Sequence, residues 1–166
     1  MRSLLLVAAD SDPGLDQVSA TGADIVVVDI ATADPRLAPA LRRHAAALGE
    51  AGRGALRLFV RINPLSSGLA EGDLDSVMPW HPHGIVLPAA TGGGDVTRLS
   101  ALLRPREAMA GIEDGATAAI AMAGDTAAGL FGLGSYRRAS ARLLALGWDR
   151  ARLLDALGVG SPHDTP

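Results

Sequence analysis

The sequence predicts an α/β fold, a parallel sheet of about six strand–helix units. Three apolar runs carry this prediction, ADIVVVDI, LRLFVRI and GIVL, because each has the length and the β-branched content of a strand buried on both faces. Segments rich in alanine and leucine separate these runs. Strands that alternate with helices form parallel sheets with right-handed crossovers, so the carboxyl ends of the strands should meet at one edge.

The first half of the chain supplies four of the strands. The predicted strands cover residues 3–9, 23–30, 56–62 and 85–87. Helices are predicted at residues 13–20, 35–48 and 69–77. Asp12-Pro13 is typical of a helix start, with an acid at the N-cap and proline in the first turn, and Gly49 is typical of a helix end.

The second half repeats the alternation with weaker signals. Its predicted elements are a helix at residues 96–103, a strand at 117–123, a helix at 126–138, a strand at 142–146 and a helix at 149–157. Residues 104–115 mix helix and turn signals, and residues 159–166 form a polar tail. We therefore expect a single domain over residues 1–158.

Two architectures accommodate six such units, an open doubly wound sheet and part of a (β/α)₈ barrel. A complete barrel usually requires about 250 residues, so the length of 166 residues favours the open sheet. In either architecture ligands bind at the carboxyl ends of the strands. Arg61 stands at that end of the third strand, where it can anchor a carboxylate or phosphate. The alternative for Arg61 is an ordinary surface arginine.

The composition excludes several classes of function. The net charge of −3 gives no reason to expect nucleic acid or an anionic membrane as partner, and no apolar stretch approaches the roughly 20 residues that span a bilayer. The chain has no cysteine, which excludes disulfides and thiolate sites. All 15 basic residues are arginine, so no lysine can form a Schiff base with a carbonyl substrate. We expect a cytoplasmic protein.

Several segments resemble one enzyme family in their order and spacing. They are RSLLLVAADSD, GADIVVVDI, VRINP, DLDSVMPWHPHGIVLP and DTAAGLFGLGSYRRASARLLALG. Together they resemble the citrate lyase beta-subunit family, which includes malyl- and citramalyl-CoA lyases, over residues 2–158. The resemblance implies a TIM-type (β/α)₈ barrel that is incomplete here. Because an unclosed sheet exposes its edges, we expect a homo-oligomer or a partner subunit to cover them.

The resemblance also implies a chemistry, the magnesium-dependent cleavage or formation of a carbon–carbon bond in a 2-oxo or 3-hydroxy acid or its CoA thioester. It assigns Arg61 to the substrate carboxylate, Asp29 to a catalytic position, and Pro88 and Ala89 to the substrate-binding loop. It assigns Asp125 to Mg²⁺. Asp149 becomes the second metal ligand only if the end of the sixth strand slips by two or three residues.

The sequence departs from the family pattern at several of these positions. Ala31 and Thr32 replace two acids after the second strand, Ala89 replaces a lysine, and Ala151-Arg152 replaces an acidic pair after the sixth strand. A unit positive charge 4 Å from another costs roughly 4 kcal/mol at an effective dielectric near 20, so Arg152 disfavours a metal there. Two hypotheses follow, a carbon–carbon lyase whose activity is weakened or lost, and a noncatalytic binding or assembly subunit of the same fold.

Each candidate residue also has a purely structural alternative. Asp125 and Asp149 can cap the helices that follow them, and Asp29 can orient a neighbouring arginine. Several further residues have a default structural role and a weaker ligand-binding one. The run Thr91-Gly92-Gly93-Gly94 is a flexible loop or a phosphate cradle. The histidines His81 and His83 are surface residues or metal ligands. Four arginines are solvated side chains or contacts to a CoA phosphate, namely Arg137, Arg138, Arg142 and Arg150.

Overall fold

Six parallel strands form one sheet in the computed structural model, which describes residues 3–8, 21–32 and 57–159. The strands are β1 (Leu4–Ala8), β2 (Ile25–Asp29), β3 (Leu58–Arg61), β4 (Gly84–Leu87), β5 (Ala118–Met122) and β6 (Leu143–Gly147). Their order in the sheet follows the sequence, and every neighbouring pair is parallel. The predicted α/β fold with six strands is confirmed.

Each of the three connections between β3 and β6 contains a helix. The helices are α1 (Ala70–Val77), α2 (Gly93–Ala110), α3 (Ala127–Phe131) and α4 (Arg150–Ala156), with 3₁₀ turns at Leu65–Ser67, Met78–Trp80 and Leu133–Tyr136. The helices predicted at residues 13–20 and 35–48, and nearly all of the predicted polar tail, lie outside the described residues. None of the described helices has the length and apolar content that would let it cross a bilayer.

The sheet curls into an open barrel. Leu4 and Leu6 of β1 line the same cavity as Ala145 and Gly147 of β6, although β1 and β6 do not pair with each other. One face of the sheet packs on the helices, and the opposite face builds a separate apolar cluster around Phe59 inside the curl. The architecture is therefore that of an incomplete barrel, and the open doubly wound sheet favoured by chain length is wrong.

Helix α2 is longer than its sequence pattern predicts, because it continues through Pro105 to Ala110. Glu107 lies on its buried side, and both oxygens of its carboxylate accept hydrogen bonds from elements beyond the helix, as described below. Gly111, in the left-handed conformation at φ 71°, ends the helix. Much of the ambiguous stretch 104–115 is thus helical.

The helix predicted at residues 126–138 is divided into α3 and the following 3₁₀ turn. The division falls at Gly132, where an added Cβ would lie 2.1 Å from the carbonyl oxygen of Thr91. At Gly129 an added Cβ would lie 2.6 Å from the carbonyl oxygen of Ala90, which also follows β4. Two backbone segments therefore approach each other at distances that only glycine allows, and this contact fixes the loop after β4 against the loop after β5.

Candidate functional site

The carboxyl ends of the strands bring the predicted site residues to one edge of the sheet. Asp29 ends β2 and Arg61 ends β3, and the two residues are paired in the parallel register. Asp125 and Asp149 follow β5 and β6 by a few residues. This convergence was expected, because parallel strands place their carboxyl ends together.

Arg61 is buried, with 6% of its surface exposed. Its Nη1 donates to Oδ2 of Asp29 at 3.0 Å. Its Nε and Nη2 have no hydrogen-bond partner among the described residues. A guanidinium presents its donors in a planar fork that matches a carboxylate, and two of these donors are buried and unpaired among the described residues.

Asp29 orients Arg61 and is itself held in place. Its Oδ1 accepts from the backbone amide of Ala31 at 3.0 Å, while its Oδ2 accepts from Arg61. Both oxygens are therefore engaged within the protein. In this arrangement Asp29 positions the arginine, and its predicted catalytic role stays a prediction.

A second network fixes the loops that follow β2 and β3. Asp73 of α1 is fully buried, and its Oδ2 accepts from both the backbone amide and the side-chain amide of Asn63, each at 2.8 Å. The Oδ1 of Asn63 accepts from the amide of Thr32 at 2.8 Å. Asn63 and Asp73 therefore hold the backbone on either side of Arg61, a function that sequence reasoning missed. The only sequence signal was a polar residue inside the VRINP motif.

Asp125 is buried at the end of β5, with 4% of its surface exposed. Its Oδ2 accepts from the amide of Ala89 at 3.2 Å, and its Oδ1 has no partner among the described residues. Burial raises the pKa of the Asp125 carboxyl, against the opposing effects of the Ala89 amide and the Arg61 guanidinium. Asp125 does not cap α3, because Thr126 takes that role by accepting from the amide of Gly129 at 3.0 Å. The N-cap alternative for Asp125 is wrong.

Asp149 caps α4, as the structural alternative predicted. Its Oδ1 accepts from the amides of Ala151 and Arg152 at 3.0 and 3.2 Å, and its Oδ2 lies 3.6 Å from Nε of Arg152. Strand β6 contains one extra residue, because Ala119 pairs with Leu143 but Ile120 pairs with Ala145. This bulge belongs to the pairing of β5 with β6, and the slip of the strand end that would make Asp149 a metal ligand stays a prediction.

Two cavities flank this edge of the sheet. The lumen cavity, which we define as the space of about 450 Å³ inside the curled sheet, has Arg61 and Asp149 in its lining. Pro88 and Ala89 do not line it. They line a separate cavity of about 130 Å³ beside the start of α2. The structure thus brings Arg61 and Asp149 together around one space and places the predicted substrate-binding loop around another.

Three of the remaining sequence candidates are held by contacts within the protein. The amide of Gly93, at the start of α2, donates to Oγ of Ser135 at 2.8 Å, and an added Cβ at Gly92 would lie 2.8 Å from the same oxygen, so this glycine run packs against the 3₁₀ turn after α3. Nδ1 of His83 accepts from the amide of Leu58 at 3.2 Å. Arg142 is buried against Glu107, so both alternatives for Arg142, a solvated side chain and a CoA contact, are wrong.

The acidic side chains that the structure describes are not arranged to hold Mg²⁺. Among residues 3–8, 21–32 and 57–159, no three acidic or histidine side chains gather as a metal site. Oδ1 of Asp125 is a spare buried oxygen, whereas both oxygens of Asp29 and Oδ1 of Asp149 already accept hydrogen bonds. A magnesium site at Asp125 and Asp149 stays a prediction, and Oδ2 of Asp149, its oxygen outside the cap, lies 3.6 Å from Nε of Arg152.

Solved structures with the same fold are enzymes that are longer than this chain. The citrate lyase beta subunit of M. tuberculosis, complexed with oxaloacetate and magnesium, matches with a TM-score of 0.67 and 24% identity over 95% of this chain and 62% of its own. The protein CitE of Mycobacterium tuberculosis, in complex with magnesium, acetoacetate and coenzyme A, matches with a TM-score of 0.68 and 22% identity over 98% of this chain and 53% of its own. The malate synthase of Haloferax volcanii, in a magnesium and glyoxylate complex, gives 0.76 and 14% over 97% of this chain and 55% of its own.

These likenesses establish the shared fold, and the chain spans between about half and three fifths of the length of the structures. No curated protein sequence matches the chain. The model of one family does match, over residues 2–149, and it covers the strands, the arginine of β3 and the acids that follow β5 and β6. The chain belongs to the HpcH/HpaI aldolase/citrate lyase family.

Proposed function

We propose that this protein binds a small carboxylic acid at Arg61, namely a 2-oxo or 3-hydroxy acid or its CoA thioester, and that its carbon–carbon lyase activity is weakened or lost. The observation that carries the proposal is the state of the Arg61 guanidinium. It is buried at the carboxyl end of β3, oriented through Nη1 by Asp29, and left with two donors that have no partner among the described residues. Such donors favour an anionic ligand, because unpaired buried polar groups are costly.

The ligand carboxylate would accept from Nε and Nη2 of Arg61. Because Asp29 already holds the opposite side of the guanidinium, the fork needs little further ordering when the ligand binds. Asp125 is the neighbouring acid with a spare oxygen, and burial raises the pKa of its carboxyl. In its protonated form Asp125 would donate from Oδ1 to a ligand oxygen without repelling a carboxylate.

Weak or absent lyase activity follows from the groups that replace the expected ones. Ala31, Thr32 and Ala89 carry no acid or base, and the amide of Ala89 already donates to Asp125. Asp29 and Asp149 are engaged in structural hydrogen bonds. Asp125 remains as an acid–base group beside Arg61, whereas the cleavage of a carbon–carbon bond also needs a strong stabiliser of the developing enolate charge.

Thermal stability measured with oxaloacetate, pyruvate, acetyl-CoA and CoA, each with and without Mg²⁺, tests the proposal. We expect an oxo acid to raise the midpoint of unfolding, since a ligand that binds only the native state stabilises it by mass action. We expect Mg²⁺ to leave that increase unchanged, because the donors do not fit the ion. An increase that requires Mg²⁺ would contradict the altered site and support a functional lyase centre. No increase with any of the compounds would contradict the binding function.

A noncatalytic assembly subunit is the second candidate function, and the exposed strand edges favour it. On β1, Leu4 and Leu6 are 45% and 51% exposed, and on β6, Leu144 and Leu146 are 50% and 44% exposed. Unpaired edge strands with apolar side chains are favourable sites for association. A second copy of this chain or a partner subunit would cover them.

Sedimentation velocity tests whether β1 and β6 are interfaces. We expect the wild-type protein to associate, and we expect Leu6→Lys to shift it towards the monomer, because a charge on the edge strand opposes pairing. Met109→Lys is the matched control, since Met109 is 88% exposed on α2, away from the strand edges. A wild-type monomer at every concentration would contradict self-association and leave only a different partner chain.

A further inference from the structure

A side chain continues the hydrogen-bond ladder between the ends of β2 and β3. The amide of Ile30 donates to the carbonyl oxygen of Arg61 at 3.0 Å. Donors of a parallel ladder recur at every second residue, so Thr32 is next, and its amide donates to Oδ1 of Asn63 at 2.8 Å. The side chain of Asn63 therefore joins the loops that follow the two strands, directly beyond Arg61.

Asp73 of α1 fixes the orientation of this side chain. Its Oδ2 accepts from the backbone amide and from Nδ2 of Asn63, each at 2.8 Å, and both residues are fully buried. A carboxylate accepts and a backbone amide donates, so one orientation of Asn63 satisfies both neighbours, with Nδ2 towards Asp73 and Oδ1 towards Thr32. Asp73 is carried by a helix whose Leu74 and Val77 belong to the core. The link between the loops is thus anchored to a packed element.

We infer that Asn63, oriented by Asp73, is a positioning residue of the Arg61 site, and that it keeps the guanidinium in the geometry that binds a carboxylate. This inference rests on the proposed carboxylate-binding function of Arg61 and adds the residues that set its affinity. Asn63 acts through the backbone of the loops after β2 and β3, without contact to the ligand.

The path from Asn63 to Arg61 consists of adjacent contacts. Asn63 holds Thr32, the neighbour of Ala31. The amide of Ala31 donates to Oδ1 of Asp29 at 3.0 Å, and Oδ2 of the same carboxylate accepts from Nη1 of Arg61 at 3.0 Å. Release of the Thr32 amide therefore lets the Ala31 amide move, and with it the carboxylate that orients the guanidinium. A ligand would then have to order the guanidinium as it binds, which lowers the affinity.

Isothermal titration of oxaloacetate and of pyruvate into matched variants tests the inference. Asn63→Ala removes the link between the loops, and we expect about tenfold or more weaker binding, because loss of a group that orients a ligand-binding side chain costs about 10- to 100-fold at metal sites. Asp73→Asn keeps one acceptor for Asn63 and should weaken binding by about threefold or more. Asp75→Asn is the control on the same helix, because Asp75 is exposed and pairs with Arg106, and it should bind like the wild type.

Two further variants separate positioning from a general loss of stability. Glu107→Gln removes a buried charge that bonds to Thr117 and Arg142, which precede β5 and β6, so it should lower stability and leave the affinity unchanged. The exchange Asn63→Asp with Asp73→Asn provides a donor and an acceptor for each of the three hydrogen bonds, with the two roles reversed between the side chains. This exchange should recover most of the affinity that either single variant loses.

A double variant tests the path through the guanidinium. In Arg61→Lys the ammonium binds as a point charge and needs no oriented fork, so adding Asn63→Ala should weaken binding by less than about threefold more. A further loss as large as in the wild-type background would overturn the path through Arg61.

The outcomes distinguish the inference from the proposed function. Wild-type affinity in Asn63→Ala, or an equal loss in Glu107→Gln, would overturn the inference and leave the proposed function intact. Should Asn63→Ala not fold, wild-type affinity in Asp73→Asn would overturn the inference in its place. Failure of the wild type to bind either acid would overturn the proposed function itself.

Discussion

Replacement of Glu107 by glutamine should lower the free energy of unfolding by about 3 kcal/mol. Glu107 is fully buried in α2, and its carboxylate forms two hydrogen bonds with the Arg142 guanidinium, at 2.5 and 2.6 Å. Its oxygens also accept from the amides of Thr117 and Gly115 at 2.9 and 3.1 Å. The substitution keeps the shape and removes the charge, so Asp114, at 3.0 Å, is the counter-ion that the buried guanidinium keeps among the described residues.

Chemical denaturation of matched variants measures this effect. Glu113→Gln is the control, because Glu113 is an exposed neighbour whose substitution should change stability by less than about 0.5 kcal/mol. The double variant Glu107→Met with Arg142→Met should recover much of the loss, since replacing a buried ion pair by apolar residues is often close to neutral. A loss below about 1 kcal/mol for Glu107→Gln would show that the pair contributes little.

Glu107 also determines how the free energy of unfolding depends on pH. Burial by itself raises the pKa of Glu107, but the hydrogen bonds from Arg142, Thr117 and Gly115 outweigh it and lower the pKa from 4.5 to about 2. Since the folded-state pKa is depressed, the contribution is fully present above pH 4.5 and is lost as the pH falls towards 2. This contribution of Glu107 to the free energy of unfolding is about 3 kcal/mol. The unfolding free energy of Glu107→Gln should therefore fall less steeply between pH 4.5 and pH 2 than that of the wild type.

The strands of this fold were predictable because burial on both faces leaves continuous β-branched runs, as in β2, where Ile25, Val26, Val27 and Val28 are all buried. The parallel order of the strands is then enough to predict that Asp29, Arg61, Asp125 and Asp149 gather at one edge of the sheet. The incomplete barrel came from the resemblance to a family. Length alone favoured an open sheet, because length does not reveal curvature.

The pairing of buried charges could not be predicted from the sequence. Glu107 and Arg142 are 35 residues apart in the sequence, so no local pattern indicates that they form an ion pair. Asn63 and Asp73 likewise meet through the fold and leave no periodic signal. Of the two helix caps considered from the sequence, one is observed. Asp149 caps α4, whereas Thr126 caps α3, because the side chain of Asp125 is turned inwards to the amide of Ala89.

Replacement of Arg61 by methionine should weaken oxo-acid binding by at least about 100-fold. Removal of one partner from a buried, hydrogen-bonded charge pair costs about 2–5 kcal/mol, and here it removes both donors proposed for the ligand. The variant also leaves Asp29 without its ion-pair partner, so a loss of stability accompanies the loss of binding. Arg61→Lys separates the two effects, because it keeps the charge beside Asp29 but loses the planar fork.

The matched control for Arg61 is Arg137→Met, which removes an exposed guanidinium from the 3₁₀ turn region after α3. It should leave both affinity and stability unchanged. Arg61→Lys should fold like the wild type and bind at least about tenfold more weakly, since a bidentate contact becomes a single point charge. Binding by Arg61→Lys that equals the wild type would mean that charge alone, and not the fork, holds the ligand.

The most direct measurement is therefore the titration of pyruvate and of oxaloacetate, without Mg²⁺, into the wild type, Arg61→Lys, Arg61→Met and Arg137→Met at equal concentration. We predict binding by the wild type and Arg137→Met, weaker binding by Arg61→Lys and no detectable binding by a folded Arg61→Met. Binding by Arg61→Met with wild-type affinity would contradict the central claim that the buried guanidinium at the end of β3 holds the ligand carboxylate.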